Sequence, residues 1–209
     1  MINLREIALK RLKEFEILGK TGETIFDFSP FLDLKLRANI KSELVFCIST
    51  ANSGAISGIK FQKLFMDYSL ENADVEEIKI ALRVSGVRFY NKKALYIKEA
   101  MERFEIVEEA LKLGSAEARE LLCRLKGIGY KEASHFLRNI GRLDVAIIDR
   151  HILRWLENRG YISFIPKSIT KSFYLQGEEI LKFIAKKSGL NLAVLDLFIW
   201  YKATKQMLK

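Results

Sequence analysis

Apolar residues recur along most of this chain at the three-to-four-residue spacing of a helix face. Near the start, Leu4, Ile7, Ala8, Leu12 and Phe15 share one side, while Arg5, Lys10, Lys13 and Glu14 lie elsewhere, which predicts an amphipathic helix. The stretch TGETIFDFSPF, containing Pro30, reads as an irregular connection. A helix is then expected from about Leu34 to Thr50, carrying Ile40, Leu44 and Cys47. The small residues and glycines of ANSGAISG end it at a helix–turn–helix corner. Further helices are expected near 55–67, 74–84 and 91–112. Ser115 is placed to cap a helix with Leu121, Leu122 and Leu125 on one face. After KGIGY, residues Ala133, Phe136, Leu137 and Ile140 again mark a helix face. Asp149 stands at an N-cap position before RHILRWLENRG, with Gly160 near the exit, and two last helices are expected at about 168–187 and 191–205. No segment alternates convincingly with a period of two, and no internal repeat is visible. The predicted fold class is all-α.

Composition narrows the partner. The 209 residues suffice for one large or two small domains with a buried core, and 49% hydrophobic with 29% charged residues describes a soluble globular protein. No apolar run approaches the roughly 20 residues that span a bilayer, and the opening MINLREIALKRLKEF mixes charge with apolar residues, unlike a signal peptide or anchor. An intracellular, cytoplasmic protein without a membrane partner is expected. The formal net charge of +9 biases the partner towards a polyanion such as nucleic acid, although a solvated lysine-rich surface would give the same number. Cys47 and Cys123 are the only cysteines, too few for a four-cysteine zinc or iron–sulfur site, and read as structural thiols.

Chemistry concentrates in residues 121–153, LLCRLKGIGYKEASHFLRNIGRLDVAIIDRHIL. A helix ending at Leu125 or Lys126 passes through Gly127, Ile128 and Gly129 straight into another helix. Glycines there let a phosphate approach the backbone, and the second helix offers free N–H groups and a positive dipole end. Gly-x-Gly before a helix is a common corner, so alone it decides nothing. Lys131 lies in the first turn of that second helix, where the dipole and nearby basic groups disfavour the ammonium form, as an amine nucleophile requires. Asp149 follows an apolar approach, Val145–Ile148, and a carboxylate capping a helix stays ionised because backbone N–H groups bind the charged form. A nucleophile beside a fixed carboxylate suits displacement at a sugar anomeric carbon. The plainer alternative is a surface cation and an ordinary cap.

This window resembles the signature of the helix-hairpin-helix DNA glycosylase superfamily. Its wording, GIGYKEASHFLRNIG…DVAIIDRHIL, together with FCISTAN, RFYNKKALYI, LDLFIWY and a final lysine, is similar to the archaeal 8-oxoguanine DNA glycosylases of type two. The resemblance implies a bifunctional base-excision repair glycosylase and AP lyase acting on double-stranded DNA that contains 8-oxoguanine or abasic sites. By it, Lys131 attacks C1′ and forms a Schiff base, and Asp149 stabilises the charged sugar. Phe89 and Trp200 sandwich the flipped base, and Lys209 distinguishes 8-oxoguanine from guanine. Asp196 is a further candidate for the base edge. Asn52 fills the gap in the duplex, and Gly127, Ile128 and Gly129 bind phosphate through the backbone. Backbone carbonyls of Cys123, Leu125 and Ile128 are candidates for a monovalent cation; side-chain metal ligands, other cofactors and an iron–sulfur cluster are not expected. Each assignment competes with a local one: core packing for Phe89 and Trp200, a frayed end for Lys209, a structural partner for Asp196, a helix cap for Asn52.

The same resemblance implies two helical subdomains flanking a DNA cleft, one from residues 1–53 with 150–209 and the other from 54–149, with the helix-hairpin-helix at 115–140. A monomer is expected. No arginine follows Asn52 in SGAISGIK, so weak discrimination of the opposite base is expected. Two alternatives remain open at this point, a glycosylase for another damaged base and a non-catalytic helix-hairpin-helix DNA-binding protein.

Overall fold

The computed structural model describes residues 3–209; Met1 and Ile2, where the expected N-terminal subdomain begins, lie outside the described residues. Helix α1 (Leu4–Thr21) starts at Asn3, whose side chain accepts from the Glu6 N–H, and stops at Gly22 with φ +80°. An antiparallel hairpin follows, β1 (Glu23–Asp27) paired with β2 (Lys35–Asn39) in the register Glu23↔Asn39 to Asp27↔Lys35. The remaining helices are α2 (Ile40–Thr50), α3 (Ala55–Asp67), α4 (Val75–Val84), α5 (Tyr90–Glu102) and α6 (Glu105–Ala110), with a 3₁₀ turn at Leu70–Asn72. They continue as α7 (Ser115–Leu122), α8 (Tyr130–Asn139), α9 (Arg150–Glu157), α10 (Lys171–Ser188) and α11 (Leu192–Thr204).

The hairpin corrects the sequence reading. Thr24 and Phe26 face inward from β1, Leu36 and Ala38 from β2, and their neighbours face out. Each alternating run is only five residues, and the exposed Ile25 disguises the first as a continuous apolar stretch. Leu36, Ile40, Leu44 and Cys47 happen to fall at helical spacing, so β2 reads as the start of α2. The true start is set by Asn39, which accepts from the Ser42 N–H at 2.8 Å while Ser42 Oγ accepts from the Asn39 N–H at 2.9 Å. The helix expected over 91–112 is broken at Arg103, whose φ of −114° and ψ of 34° leave the helical region. The cap expected at Ser115 is also corrected: Gly114 holds the cap position, and Ser115 Oγ donates instead to Asp144 Oδ1 at 2.7 Å.

The core forms two apolar clusters that meet along α11. The larger draws on α1, the hairpin and α2 through α8, and takes Ala193, Val194 and Leu197 from α11. The smaller joins Ala146 and Ile148 to α9 and α10, and takes Leu192, Leu195 and Ile199. Helix α11 is therefore apolar almost all round because both sides are covered. Its one buried acid, Asp196, pairs with Arg138.

Candidate active site

A cavity of about 630 Å³ opens where these clusters meet. Its wall collects residues from distant parts of the chain, among them Asn52 after α2, Arg88 before α5, Lys131 and His135 on α8, Asp149 before α9, Tyr174 on α10 and Trp200 on α11.

Lys131 is the second residue of α8, and its side chain is 30% exposed, with its ammonium 3.4 Å from Glu132 Oε1. The helix begins at Gly129, whose N–H donates to Glu132 Oε2 at 3.2 Å. Ahead of it, Gly127 has φ +82°, and a Cβ there would overlap the Tyr96 ring. Ile128 is buried beneath the hairpin. Its N–H donates to the Leu125 carbonyl at 3.2 Å, so one of the three carbonyls considered for a cation already closes the turn.

Asp149 caps α9: its Oδ1 accepts from the N–H groups of His151 and Ile152, both at 2.8 Å. Oδ2 accepts no hydrogen bond among the described residues. The approach, Val145–Ile148, is buried throughout, and its backbone is held by α10. Glu178 accepts from the Ala146 N–H at 2.9 Å. Tyr174 donates its hydroxyl to the Ala146 carbonyl at 2.7 Å and accepts from the Ile148 N–H at 3.1 Å. Glu178 is fixed by a buried two-bonded pair with Arg119 at 2.8 and 3.0 Å. A carboxylate at the cavity wall thus stands on a rigid polar frame.

Trp200 is half-buried and packs edge-to-face with His151, ring centres 4.9 Å apart. Asn52 is exposed with φ +54°, on the turn between α2 and α3. Phe89 is 63% exposed with φ +59°; it precedes α5, next to Arg88 and outside the cavity wall. Asp196 meets the wall with its carboxylate turned to Arg138. Burial raises its pKa to about 6, against the Arg138 guanidinium, with Asp149 adding repulsion.

Lys209 also meets the wall, but not through its ammonium. Its side chain is fully buried, donating to Glu43 Oε2 at 2.6 Å and Gln62 Oε1 at 2.5 Å over the Phe26 and Phe46 rings. Only its main chain therefore reaches the cavity. His135 lies beside it, 8% exposed, its ring nitrogens without a well-formed hydrogen bond among the described residues. Burial, then the nearby Arg138, Lys131 and Lys209 charges, hold the imidazole neutral, well below its usual pKa.

A family model described as 8-oxoguanine DNA glycosylase matches residues 21–190. The chain belongs to this family. An 8-oxoguanine DNA glycosylase/AP lyase of Aquifex aeolicus is 47% identical, covering 96% of this chain and 92% of the relative. One from Methanocaldococcus jannaschii is 45% identical, covering 96% and 97%. The crystal structure of the M. jannaschii 8-oxoguanine glycosylase/lyase with a 15mer DNA containing 8-oxoguanine superimposes with a TM-score of 0.83 at 40% identity, covering 100% of this chain and 94% of that one. The 8-oxoguanine DNA glycosylase of Thermotoga maritima gives 0.85 at 36% identity, covering 98% and 92%. A trapped endonuclease III–DNA intermediate gives 0.61 at 16% identity, a likeness of fold alone.

Several groups around this glycosylase cavity escaped the sequence reading. Glu43, Gln62 and Asn139 form a buried polar set, with Asn139 Nδ2 donating to Glu43 Oε1 at 2.5 Å. Their only signal is that each is a polar residue on a helix face otherwise buried. Lys93 is the same case, 4% exposed on α5. Arg88 is an arginine near Asn52 in space but far from it in sequence, so no local pattern announces it. Among the described residues, no group of three or more His, Cys, Asp or Glu side chains could hold a metal, and no helix is long and apolar enough to cross a membrane.

Proposed function

We propose that this chain excises 8-oxoguanine from double-stranded DNA and then nicks the strand, with Lys131 as nucleophile and Asp149 as the charge that stabilises the sugar. The observation that carries the assignment is the meeting of Lys131 and Asp149, each at the head of a helix, on one cavity wall with Trp200. A binding module has no need of that pairing, and the family's two activities do.

The Lys131 amine, in its neutral form, attacks C1′ of the extruded nucleotide. The C1′–N9 bond breaks, its electron pair leaves with the base, and the base is protonated. The amine proton lost in forming the new C–N bond goes to solvent or to Asp149 Oδ2, the carboxylate oxygen without a hydrogen bond among the described residues. Opening of the sugar ring yields a Schiff base. Loss of a C2′ proton then expels the 3′ phosphate, and water releases the lysine. Asp149 opposes positive charge at the anomeric carbon in the transition state, an effect worth about 3 kcal/mol for a well-placed group. No bound cofactor is required.

Extruding the base costs a few kcal/mol, offset in part by stacking on Trp200 and on Phe89, which we assign to the opposite face of the base once DNA is bound. 8-Oxoguanine differs from guanine in carrying a proton on N7, so an acceptor opposite N7 favours the lesion. We assign this acceptor to the main chain of Lys209, a residue of the cavity wall whose ammonium is held away from it by the buried ion pair to Glu43. Asp196 acts through Arg138 as a structural partner. Asn52 occupies the space left by the base, and backbone N–H groups at Gly127, Gly129 and Lys131 grip phosphate; Glu132 must release the Gly129 N–H for this to occur. No arginine follows Asn52 in the sequence, though Arg88 lies on the same wall; we propose weak discrimination of the opposite base. As a DNA-repair enzyme the protein works inside the cell.

Borohydride reduction on a duplex carrying one 8-oxoguanine tests the assignment. A covalent complex is expected with the wild type and not with Lys131→Gln, which should retain DNA affinity. Absence of trapping by both, with DNA still bound, overturns the lyase mechanism.

A further inference from the structure

Two turns of this molecule carry the groups assigned to the opened duplex, and each contains a non-glycine residue in the left-handed region. These are Asn52 at φ +54° between α2 and α3, and Phe89 at φ +59° before α5. Such a conformation is disfavoured for residues with a side chain, less so for asparagine, so at Phe89 above all the surroundings must hold it. Among the described residues the Asn52 side chain makes no hydrogen bond, and both Asn52 and Phe89 are exposed. A small hydrogen-bonded linkage joins the two turns, exposed at Arg88 and buried at the Ser49 end. Ser53 Oγ accepts from the Arg88 N–H at 2.9 Å, across 35 residues of sequence. It also accepts from Lys93 Nζ at 3.1 Å. The same ammonium donates to the Ser49 carbonyl at 2.7 Å, on the other side of Asn52. The Lys93 backbone N–H donates to the Phe89 carbonyl at 3.1 Å, which completes the circuit.

We infer that Ser53 and Lys93 form a clamp that sets the spacing between the Asn52 turn and the Phe89 turn, making them positioning residues for base extrusion rather than for the covalent chemistry. Three features carry this. The Ser53 hydroxyl and the Lys93 ammonium carry the side-chain hydrogen bonds that join the two turns among the described residues. Lys93 is almost entirely out of solvent, where an ammonium is costly unless its geometry is useful. Burial is the largest cause lowering its pKa to about 8, with the Lys131 and Arg88 charges adding to it, so the molecule keeps this cation at a standing cost. Two hydrogen bonds straddling one exposed residue fix the direction of that residue without touching it.

The inference rests on the proposed roles of Asn52 and Phe89, and the test separates the two. Excision and strand nicking are measured under single turnover on an 8-oxoguanine duplex and, separately, on a duplex with a preformed abasic site. An abasic sugar has no base to extrude or stack, so the clamp matters only to the first substrate. Ser53→Ala and Lys93→Met are each expected to slow 8-oxoguanine excision about tenfold, a modest part of what misplacement of reacting groups can cost. Nicking at the abasic site should stay within about twofold. Ser53→Thr, which keeps the hydroxyl, should restore excision. Unchanged excision in both Ser53→Ala and Lys93→Met overturns the clamp, as does a parallel loss on both substrates. A wild type that neither excises nor traps overturns the activity itself.

Discussion

Asp149 does two things with two oxygens, and they can be separated at the level of one residue. Oδ1 caps α9 through His151 and Ile152, while the residual negative charge is assigned to the sugar. Asparagine is as good a cap as aspartate but carries no charge. Asp149→Asn is therefore expected to lower single-turnover excision by about a hundredfold or more while thermal stability changes little. Asp149→Ala loses the cap as well and should be less stable by about 1 kcal/mol, measured by urea unfolding. If Asp149→Asn excised at the wild-type rate, the carboxylate would be only a cap. The cap itself was legible from the sequence, since an aspartate before a helical run announces it. Lys209 was legible as a residue of interest, but the sequence could not say which end of it faces the cavity. That depends on Glu43 and Gln62, polar residues of two other helices, drawing the ammonium into the core.

At the level of elements, the helix-hairpin-helix depends on Gly127 in a way that can be checked against another glycine. Gly127 has φ +82° and the Tyr96 ring lies where a Cβ would go, whereas Gly160 has φ +72° and nothing within 4 Å. Gly160→Ala should cost only the left-handed strain, about 1 kcal/mol. Gly127→Ala adds a clash against a partly buried ring and should cost about 2 kcal/mol or more, with weaker binding to undamaged duplex. Equal losses in the two variants would show that the Tyr96 contact is slack. The hairpin β1–β2 shows the opposite limit of local reading. Its five-residue strands are shorter than the window needed to tell one period from another, and only pairing with each other and packing against α1 decides them.

For the whole molecule, the buried charges make folding stability depend on pH. Asp196 has its pKa raised to about 6, above its unfolded value. The folded state therefore holds that proton more tightly, and the stability it contributes is full below about pH 4 and lost as pH rises through 6. The stability of the wild type relative to Asp196→Asn should fall by up to about 3 kcal/mol across that window and be flat above it. Urea unfolding at a series of pH values reads this directly, and a difference that does not change between pH 4 and 7 would show that Asp196 is ionised throughout. His135, held neutral with a lowered pKa, acts in the other sense: its contribution is present above about pH 6.5 and is lost as pH falls.

Sequence alone determined the helical character, the glycine hairpin and the capping aspartate, together with Lys131 as the amine of interest. These are local properties: periodicity, turn chemistry and caps are written into neighbouring residues. It also carried the family, because wording such as GIGYKEASHFLRNIG and LDLFIWY is distinctive in itself. What the tertiary structure decided is which distant groups meet. Glu178 and Tyr174 hold the approach to Asp149, Glu43 and Gln62 turn the Lys209 ammonium inward, and Lys93 with Ser53 joins the Asn52 and Phe89 turns. Each is a polar residue on a face that periodicity alone assigns to solvent or leaves ambiguous. Burial of such a residue is tolerated only with a partner, and that partner lies tens of residues away, where no local pattern can name it.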